Sequence, residues 1–312
     1  TQGVSSAASD VYKRQVEKNN TANDPARSSA VPNQIGTTSS KIKHVIYIVR
    51  ENRTFDQELG SNGRGNADPS LNLFGEESAP NTRALARQFT TFDNFYADAE
   101  VSANGWNWVS QANSNPWSEE MWPSNYSGRG APYPAENNDP ESRAKEHDSY
   151  FWEHLSKNNI SFRNYGFYTT LDKKGKAHGV DKKILDPNTD HDFIGWSLDC
   201  PDSARSFAPM AKNCGPKSRV DEWKSDFNKQ LAKGSVPTVP LVRFGNDHTQ
   251  ATKVGVPTPQ AYVADNDQAI GQLVETVSHS PIWKDTAIFL TEDDAQNGPD
   301  HVDAHRTIGE VI

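Results

Sequence analysis

Cysteine is nearly absent: the 312-residue chain has two, Cys200 and Cys214, which allow at most one bridge. Long hydrophobic runs are missing too. None approaches the roughly 18 residues needed to cross a bilayer, so no transmembrane segment is expected. Excess positive charge is lacking, because 41 acidic residues outweigh 32 basic ones and leave a formal net charge of −9. That balance excludes a nucleic-acid partner held by general electrostatics. No internal repeat of solenoid period occurs. A secretory signal is not visible, although the amino terminus carries no weight on this point. What is present suits a globular domain: hydrophobic residues make up 34% of the chain and aromatics 10%, enough for a substantial core.

The ends differ from the middle. Residues 1–15, "TQGVSSAASDVYKRQ", have no periodicity and read as adaptor-derived sequence foreign to the fold. Residues 16–40 are polar and small and read as a linker. Residues 41–312 are expected to form one catalytic domain, truncated at its carboxyl end because "HRTIGEVI" stops as an apolar element begins. Cys200 and Cys214 lie in a loop-like stretch rich in Pro, Ser and Asp. A disulfide there would add about 3 kcal/mol and would point to an oxidising, exported location; two unpaired thiols are the alternative.

Within 41–312 one arrangement recurs. An apolar run from His44 to Val49 ends in "RENRTFD"; "FTTFDNFYAD" runs into "AEVSANGWNW"; "VPLVRF" runs into "GNDHT"; "TAIFL" runs into "TEDDAQ". Each apolar strand delivers polar side chains at its carboxyl end, the edge at which open α/β sheets bind ligands. The run from His44 is too apolar for a strand with one wet face, so both its faces should be covered. Thr258 and Pro259 form a helix start, and Ile270, Leu273, Val274 and Val277 follow at helical spacing up to Pro281. "SRVDEWKSDFNKQLAKG" and "DSYFWEHLSKNN" read as further helices. The expected fold is α/β, a largely parallel central sheet with helices on both faces. Residues 116–140, dense in Pro, Gly, Asn, Trp and Tyr, read as a long irregular insertion that either shapes substrate access or is a surface excursion.

The chemistry concentrates at the strand ends. Glu51 and Asn52 follow the first strand directly, where a buried carboxylate needs a partner or a metal. Asp293 and Asp294 end another strand behind Glu292, and like charges so close call for a cation. Asp247 and His248 form a third strand end, and His301 and His305 add nitrogen donors. Oxygen ligands on one side and mixed Asp and His on the other suggest two divalent ions, with Zn, Mn, Fe, Ca or Mg all admissible. Ser102 sits where a helix begins after a strand. It is an N-cap, a nucleophile, or both, with Asn104 and backbone amides available to hold phosphoryl oxygens. His301 or His305 could protonate a leaving group. His147, His154, His178, His191 and His279, taken as isolated histidines, read as surface or core residues.

"HVIYIVRENRTFDQ", "DNFYADAEVSANGWNW" and "TEDDAQNGPDHVDAHR" resemble the bacterial phosphoesterase family that includes the non-specific phospholipases C and an acid phosphatase, within the alkaline phosphatase superfamily. The resemblance spans Lys41 to Ile312. It implies a metal-dependent phosphoric ester hydrolase with a hydroxyl nucleophile, acting on a phosphate-ester substrate in the periplasm or outside the cell; the phosphoesterase domains it resembles best sometimes follow a β-propeller, which would lie upstream in the full-length protein. By position it assigns Glu51, Asn52 and Asp293 to metal binding, matches Asp294 to the acidic residue that follows the family's late Asp ligand, lets His301 line the site, and matches Ser102 to the nucleophile through its place in the fold. Phospholipase-like members carry His and Gly-Gly after the paired acids, whereas this chain has Ala295, Gln296 and Asn297. A phospholipase C-type phosphodiesterase and a catalytically inactive, calcium-stabilised binding domain are the alternatives.

Overall fold

The computed structural model describes residues 30–32, 36–136, 150–203, 214–295 and 298–312. The adaptor-like start, most of the linker, His147, Gln296 and Asn297 lie outside the described residues. Two compact units are distinguished, Thr1–Lys43 and His44–Ile312. In the first, the Ser39 hydroxyl donates to the Ala30 carbonyl and accepts the backbone amides of Lys41 and Ile42.

The second unit is built on a six-stranded sheet with the spatial order β2-β8-β7-β1-β6-β3. Its strands are β1 (His44–Arg50), β2 (Thr90–Tyr96), β3 (Phe162–Tyr165), β6 (Val239–Arg243), β7 (Thr286–Glu292) and β8 (Arg306–Val311). A separate antiparallel pair, β4 (Thr169–Leu171) and β5 (Ala177–Gly179), forms a small hairpin. Strand β1 lies between β7 and β6 and runs parallel to both; β3 continues the parallel run beyond β6. Only β8 is reversed: it is antiparallel to β7 on one side and to β2 on the other. Strand β2 therefore points the same way as β1 and β7, and its carboxyl end reaches the same edge of the sheet. The sequence presents β2 like the other apolar strands, but in the fold it is an edge strand, with Phe92 and Phe95 exposed.

Helices cover both faces. Helix α6 (Arg219–Ala232) and α7 (Pro259–Ser278) pack Val220, Trp223, Phe227, Ile270, Leu273 and Val277 against Ile46, Ile48, Val242 and Ile288. Helix α3 (Ser102–Gln111) and α5 (Phe151–Lys157) bring Trp106, Trp152 and Leu155 to the opposite face, beside Val49 and Leu241. The period of two along a strand thus sends Ile48 to one core and Val49 to the other. Each such side chain contributes about 1.5–3 kcal/mol on full burial. Shorter helices α1 (Phe55–Leu59) and α2 (Pro80–Gln88) flank the sheet.

Helix boundaries follow local chemistry. The Thr258 hydroxyl accepts the Ala261 amide with Pro259 in the first turn, and the Ser218 hydroxyl accepts that of Asp221. The supposedly irregular insertion is partly regular, because residues Pro116–Asn125 form helix α4. Its start is the same device: Asn115 Oδ1 takes the Ser118 amide at 2.8 Å ahead of Pro116. Composition obscured a capping signal that position reveals. Cys200 and Cys214 are disulfide-bonded, with their Cα atoms 5.2 Å apart.

Candidate active site

Glu51 and Asp293 each stand one residue beyond the end of a neighbouring parallel strand, and Arg243 ends the third. Alternation points all three to the α3 face. Asn52 follows Glu51 with a φ of 64°, in the left-handed region that asparagine tolerates better than most residues. The chain thereby turns sharply at the strand end and leaves both side chains at the edge.

The partner of these residues is the first turn of α3. Ser102 Oγ lies 3.1 Å from Glu51 Oε2, 3.3 Å from Asn52 Oδ1 and 3.0 Å from Asp294 Oδ2. A hydroxyl has one proton, so three oxygens at these distances cannot all be satisfied by it. Asp293 stands beside this group, fully buried, and neither of its carboxylate oxygens has a hydrogen bond of good geometry. Burial first, then the neighbouring Asp294 and Glu51, push its carboxyl well above the usual carboxylate range; Ser102 and Arg243 pull the other way. An orphaned buried carboxylate next to an oxygen crowd is the environment a divalent cation fits.

The close approach of helix and strand depends on one residue. A Cβ on Gly105 would sit 2.4 Å from the carbonyl oxygen of Asp293, so only glycine lets α3 settle against the end of β7.

Glu51 is fixed from its other side. Its Oε1 accepts Trp106 Nε1 at 2.9 Å and Arg243 Nη2 at 2.6 Å. Arg243 also reaches Glu136 Oε1 at 2.6 Å, and its guanidinium lies 3.8 Å above the Trp106 ring. Burial works against the Arg243 charge, but Glu136 and Glu51 outweigh it and hold the guanidinium firmly protonated. Burial raises the Glu136 carboxyl, with Arg243 opposing. These groups open into a cavity of about 360 Å³ lined by Glu51, Ser102, Tyr126, Tyr133, Glu136, Trp196, Arg243 and His248. Arg243, Glu136 and the aromatic walls carried no motif in the sequence. The signal for Arg243 was only its place at the end of an apolar strand.

The remaining expected site residues lie elsewhere or in other roles. Asp247 is fully buried but sits with the opposite face, near Arg50 at 3.5 Å, and its carboxylate accepts the Glu51 backbone amide. There Arg50 also meets Glu58 at 2.6 Å and Glu292 at 3.3 Å. Arginine supplies the positive charge that the sequence reading gave to a metal. Burial raises Asp247 to about 7, with Arg50 opposing and Glu58 adding to the rise, and Glu292 is raised strongly by the same burial. His248 lines the cavity edge-on to Trp196, with Nδ1 2.8 Å from the Thr249 carbonyl. His301 Nδ1 is 2.5 Å from Asp56 Oδ2, and Asp56 in turn binds Arg306. His305 is exposed and lies 3.0 Å from Asp303. Neither His301 nor His305 lines the cavity of Ser102. Asn104 donates to Glu100 and Glu119 and accepts the Val101 amide; it locks the helix start rather than facing the cavity. Three sets of acid and imidazole ligand atoms lie within 4.8 Å of one another among the described residues, and none contains Glu51, Asp293 or Asp294. The group at Ser102 thus differs in kind, since a hydroxyl and an amide oxygen complete it.

Solved structures share this architecture. An alkaline phosphatase superfamily protein from Vibrio parahaemolyticus superposes with a TM-score of 0.51 at 15% identity, covering 88% of this chain and 60% of its own. The lipoteichoic acid synthase LtaP of Listeria monocytogenes gives 0.53 at 11% identity, covering 91% and 68%. The putative sulfatase yidJ of Bacteroides fragilis gives 0.50 at 13%, covering 89% and 69%. The chain thus spans about 60% of the length of the Vibrio protein, and at these identities the likeness concerns the fold, which is alkaline-phosphatase-like. No curated protein matches the chain significantly. A sequence profile described as the Phosphoesterase family matches residues 62–308, most of the chain, although Glu51 and Asn52 precede the matched span. By that match the chain belongs to the Phosphoesterase family.

Proposed function

We propose that this domain hydrolyses phosphoric esters with Ser102 as nucleophile and with one divalent cation held by Glu51, Asn52, Ser102, Asp293 and Asp294. The observation that carries the reading is the Ser102 hydroxyl within 3.0–3.3 Å of three oxygens, beside a buried Asp293 whose carboxylate has no hydrogen bond of good geometry among the described residues. One cation is favoured over two, because the Asp247 carboxylate lies on the opposite face of the sheet beside Arg50 and neither His301 nor His305 lines the cavity. The cation would supply Lewis acidity and lower the pKa of the serine hydroxyl.

The chain's own residues do the rest. Ser102 Oγ attacks phosphorus, and its proton passes to the Asp294 or Glu51 carboxylate, each already within reach. The ester oxygen departs with its electron pair, leaving a phosphoserine that water then hydrolyses. Arg243 and Trp106 hold Glu51 in the required orientation. Tyr126, Tyr133 and Trp196 wall the cavity and limit water. Kinship with a teichoic acid synthase and a putative sulfatase in fold makes transfer and sulfate-ester cleavage the comparisons to run. The Cys200–Cys214 bridge supports a periplasmic or extracellular site of action.

The test compares an aryl phosphomonoester, a bis-aryl phosphodiester and an aryl sulfate, with wild type and Ser102→Ala. Loss of phosphate-ester turnover in the variant, with the fold retained by circular dichroism, is the expected result. Unchanged turnover would remove Ser102 from the mechanism.

A further inference from the structure

Histidines 13 residues apart in sequence, His178 and His191, meet in space, and a carboxylate lies between them. The imidazole rings are 4.5 Å apart between centroids. Asp186 Oδ1 lies 3.2 Å from His178 Nδ1 and 3.5 Å from His191 Nε2. One ligand atom from each of the three falls within 4.8 Å of the others. We propose that His178, His191 and Asp186, none of which lines the cavity of Ser102, form a second, independent binding site for a zinc-class divalent cation.

The backbone builds this site. His178 is on strand β5, opposite Thr170 of β4. The carbonyl of His191 accepts the Ala177 amide at 2.9 Å, tying the second histidine beside the first. The Gly179 amide donates to Asp186 Oδ1 at 2.8 Å. A Cβ on Gly179 would lie 2.7 Å from the Asp186 backbone nitrogen, so glycine permits the approach that brings Asp186 under the rings. The three ligands therefore come from three separate pieces of chain held by hydrogen bonds.

The surroundings fit a metal ligand set. The free ring nitrogen of His178, Nε2, faces Asp172 Oδ2 at 3.7 Å. A carboxylate behind a ligating imidazole orients the ring and raises its basicity, a recurrent partner of metal-bound histidine. Asp172 is itself locked in the β4–β5 turn, where its Oδ1 accepts the amides of Lys174 and Lys176. The His178 and His191 side chains are 31% and 45% exposed, so water can enter and complete a tetrahedral set. Two imidazoles and a carboxylate suit zinc and its neighbours far better than magnesium or calcium. Lys182 competes with a metal for Asp186, its Nζ being 3.7 Å from Oδ2. It pairs with the carboxylate oxygen that the rings do not contact, on a long solvent-exposed side chain that can swing aside. The role is structural, pinning the hairpin to the loop beyond it.

The test uses untagged, metal-stripped full chain with ¹⁵N-labelled histidine, titrated with Zn²⁺ and followed by imidazole NMR. The His178 and His191 ring resonances should shift together and saturate, while aryl phosphate turnover under a fixed Mg²⁺ or Mn²⁺ supply stays within twofold in the variant His178→Ala/His191→Ala. That variant should lose the corresponding Zn²⁺ binding. Asp172→Asn, which keeps both ligands, should weaken it roughly 10-fold or more. The proposal fails if the two wild-type resonances do not move at millimolar Zn²⁺. It fails equally if Asp172→Asn and the double variant bind Zn²⁺ as the wild type does.

Discussion

Replacing Gly105 by alanine probes the geometry on which the catalytic reading depends, without touching any chemical group. The new Cβ would stand 2.4 Å from the Asp293 carbonyl oxygen and 2.9 Å from its carbon. Ordinary carbon–oxygen contact needs roughly 3.4 Å, so the amino-terminal turn of α3 must retreat by about 1 Å. Ser102 is three residues earlier on that turn and would move with it, stretching its 3.0 Å contact to Asp294 beyond hydrogen-bond reach. A misplacement of that size costs about 100-fold in rate, and the overpacked contact about 1–3 kcal/mol in stability. The assay is kcat/KM on an aryl phosphate with denaturant unfolding of the same preparation. A variant with wild-type turnover and wild-type stability would refute the packing argument, and with it the claim that α3 positions the nucleophile. Loss of stability with full turnover would separate the two and leave Ser102 outside the mechanism.

Glu310 supplies a pH prediction. It is buried on β8 with neither carboxylate oxygen hydrogen-bonded, and burial raises its pKa from 4.5 to about 8, Arg50 opposing. The folded state binds this proton more tightly than the unfolded one, so its contribution is intact below about pH 4.5 and is lost as pH rises to about 8. At 1.36 kcal/mol per factor of ten, the gap corresponds to a loss of about 5 kcal/mol at most. Glu310→Gln should therefore flatten the fall in denaturation midpoint between those pH values; an unchanged profile would contradict the burial argument. Asp293→Asn should abolish chelator-sensitive turnover and remove the thermal shift that added divalent cation gives to wild type, so a variant keeping that shift would exclude Asp293 as a ligand. Cys200→Ser with Cys214→Ser should cost about 3 kcal/mol for a 14-residue separation, read by denaturant titration, and a loss below about 0.5 kcal/mol would mean the bridge is incidental.

Much of the architecture was legible in the chain. The β-branched run at His44–Val49 announced a doubly covered strand, and β1 is indeed central, between β6 and β7. Thr258-Pro259 marked a helix start that the fold uses, and "SRVDEWKSDFNKQLAKG" a helix that it forms. Glu51, Asn52, Ser102, Asp293 and Asp294 could be singled out because each follows an apolar strand, and strand ends in a parallel sheet share one edge. Local pattern could not tell which face each acid would take. Asp247 looks like Asp293 in sequence, yet one is met by Arg50 and the other by no hydrogen-bond donor of good geometry. Arg50 and Arg53 sit beside Glu51 in the sequence, and only packing shows that Arg50 turns away to the Glu292 side while Arg243, nearly two hundred residues later, turns towards Glu51.

The sequence by itself determined the central strands, the helices from Ser218 and Thr258, and which strand ends carry oxygen ligands, because periodicity and capping act over a few residues. Tertiary structure alone decided which of those ends share a cavity, that Gly105 sets the distance between α3 and β7, and that His178 and His191 face one carboxylate. Those outcomes depend on side chains brought together across long loops, where contact is set by the handedness, register and close approach of packed elements rather than by neighbours along the chain.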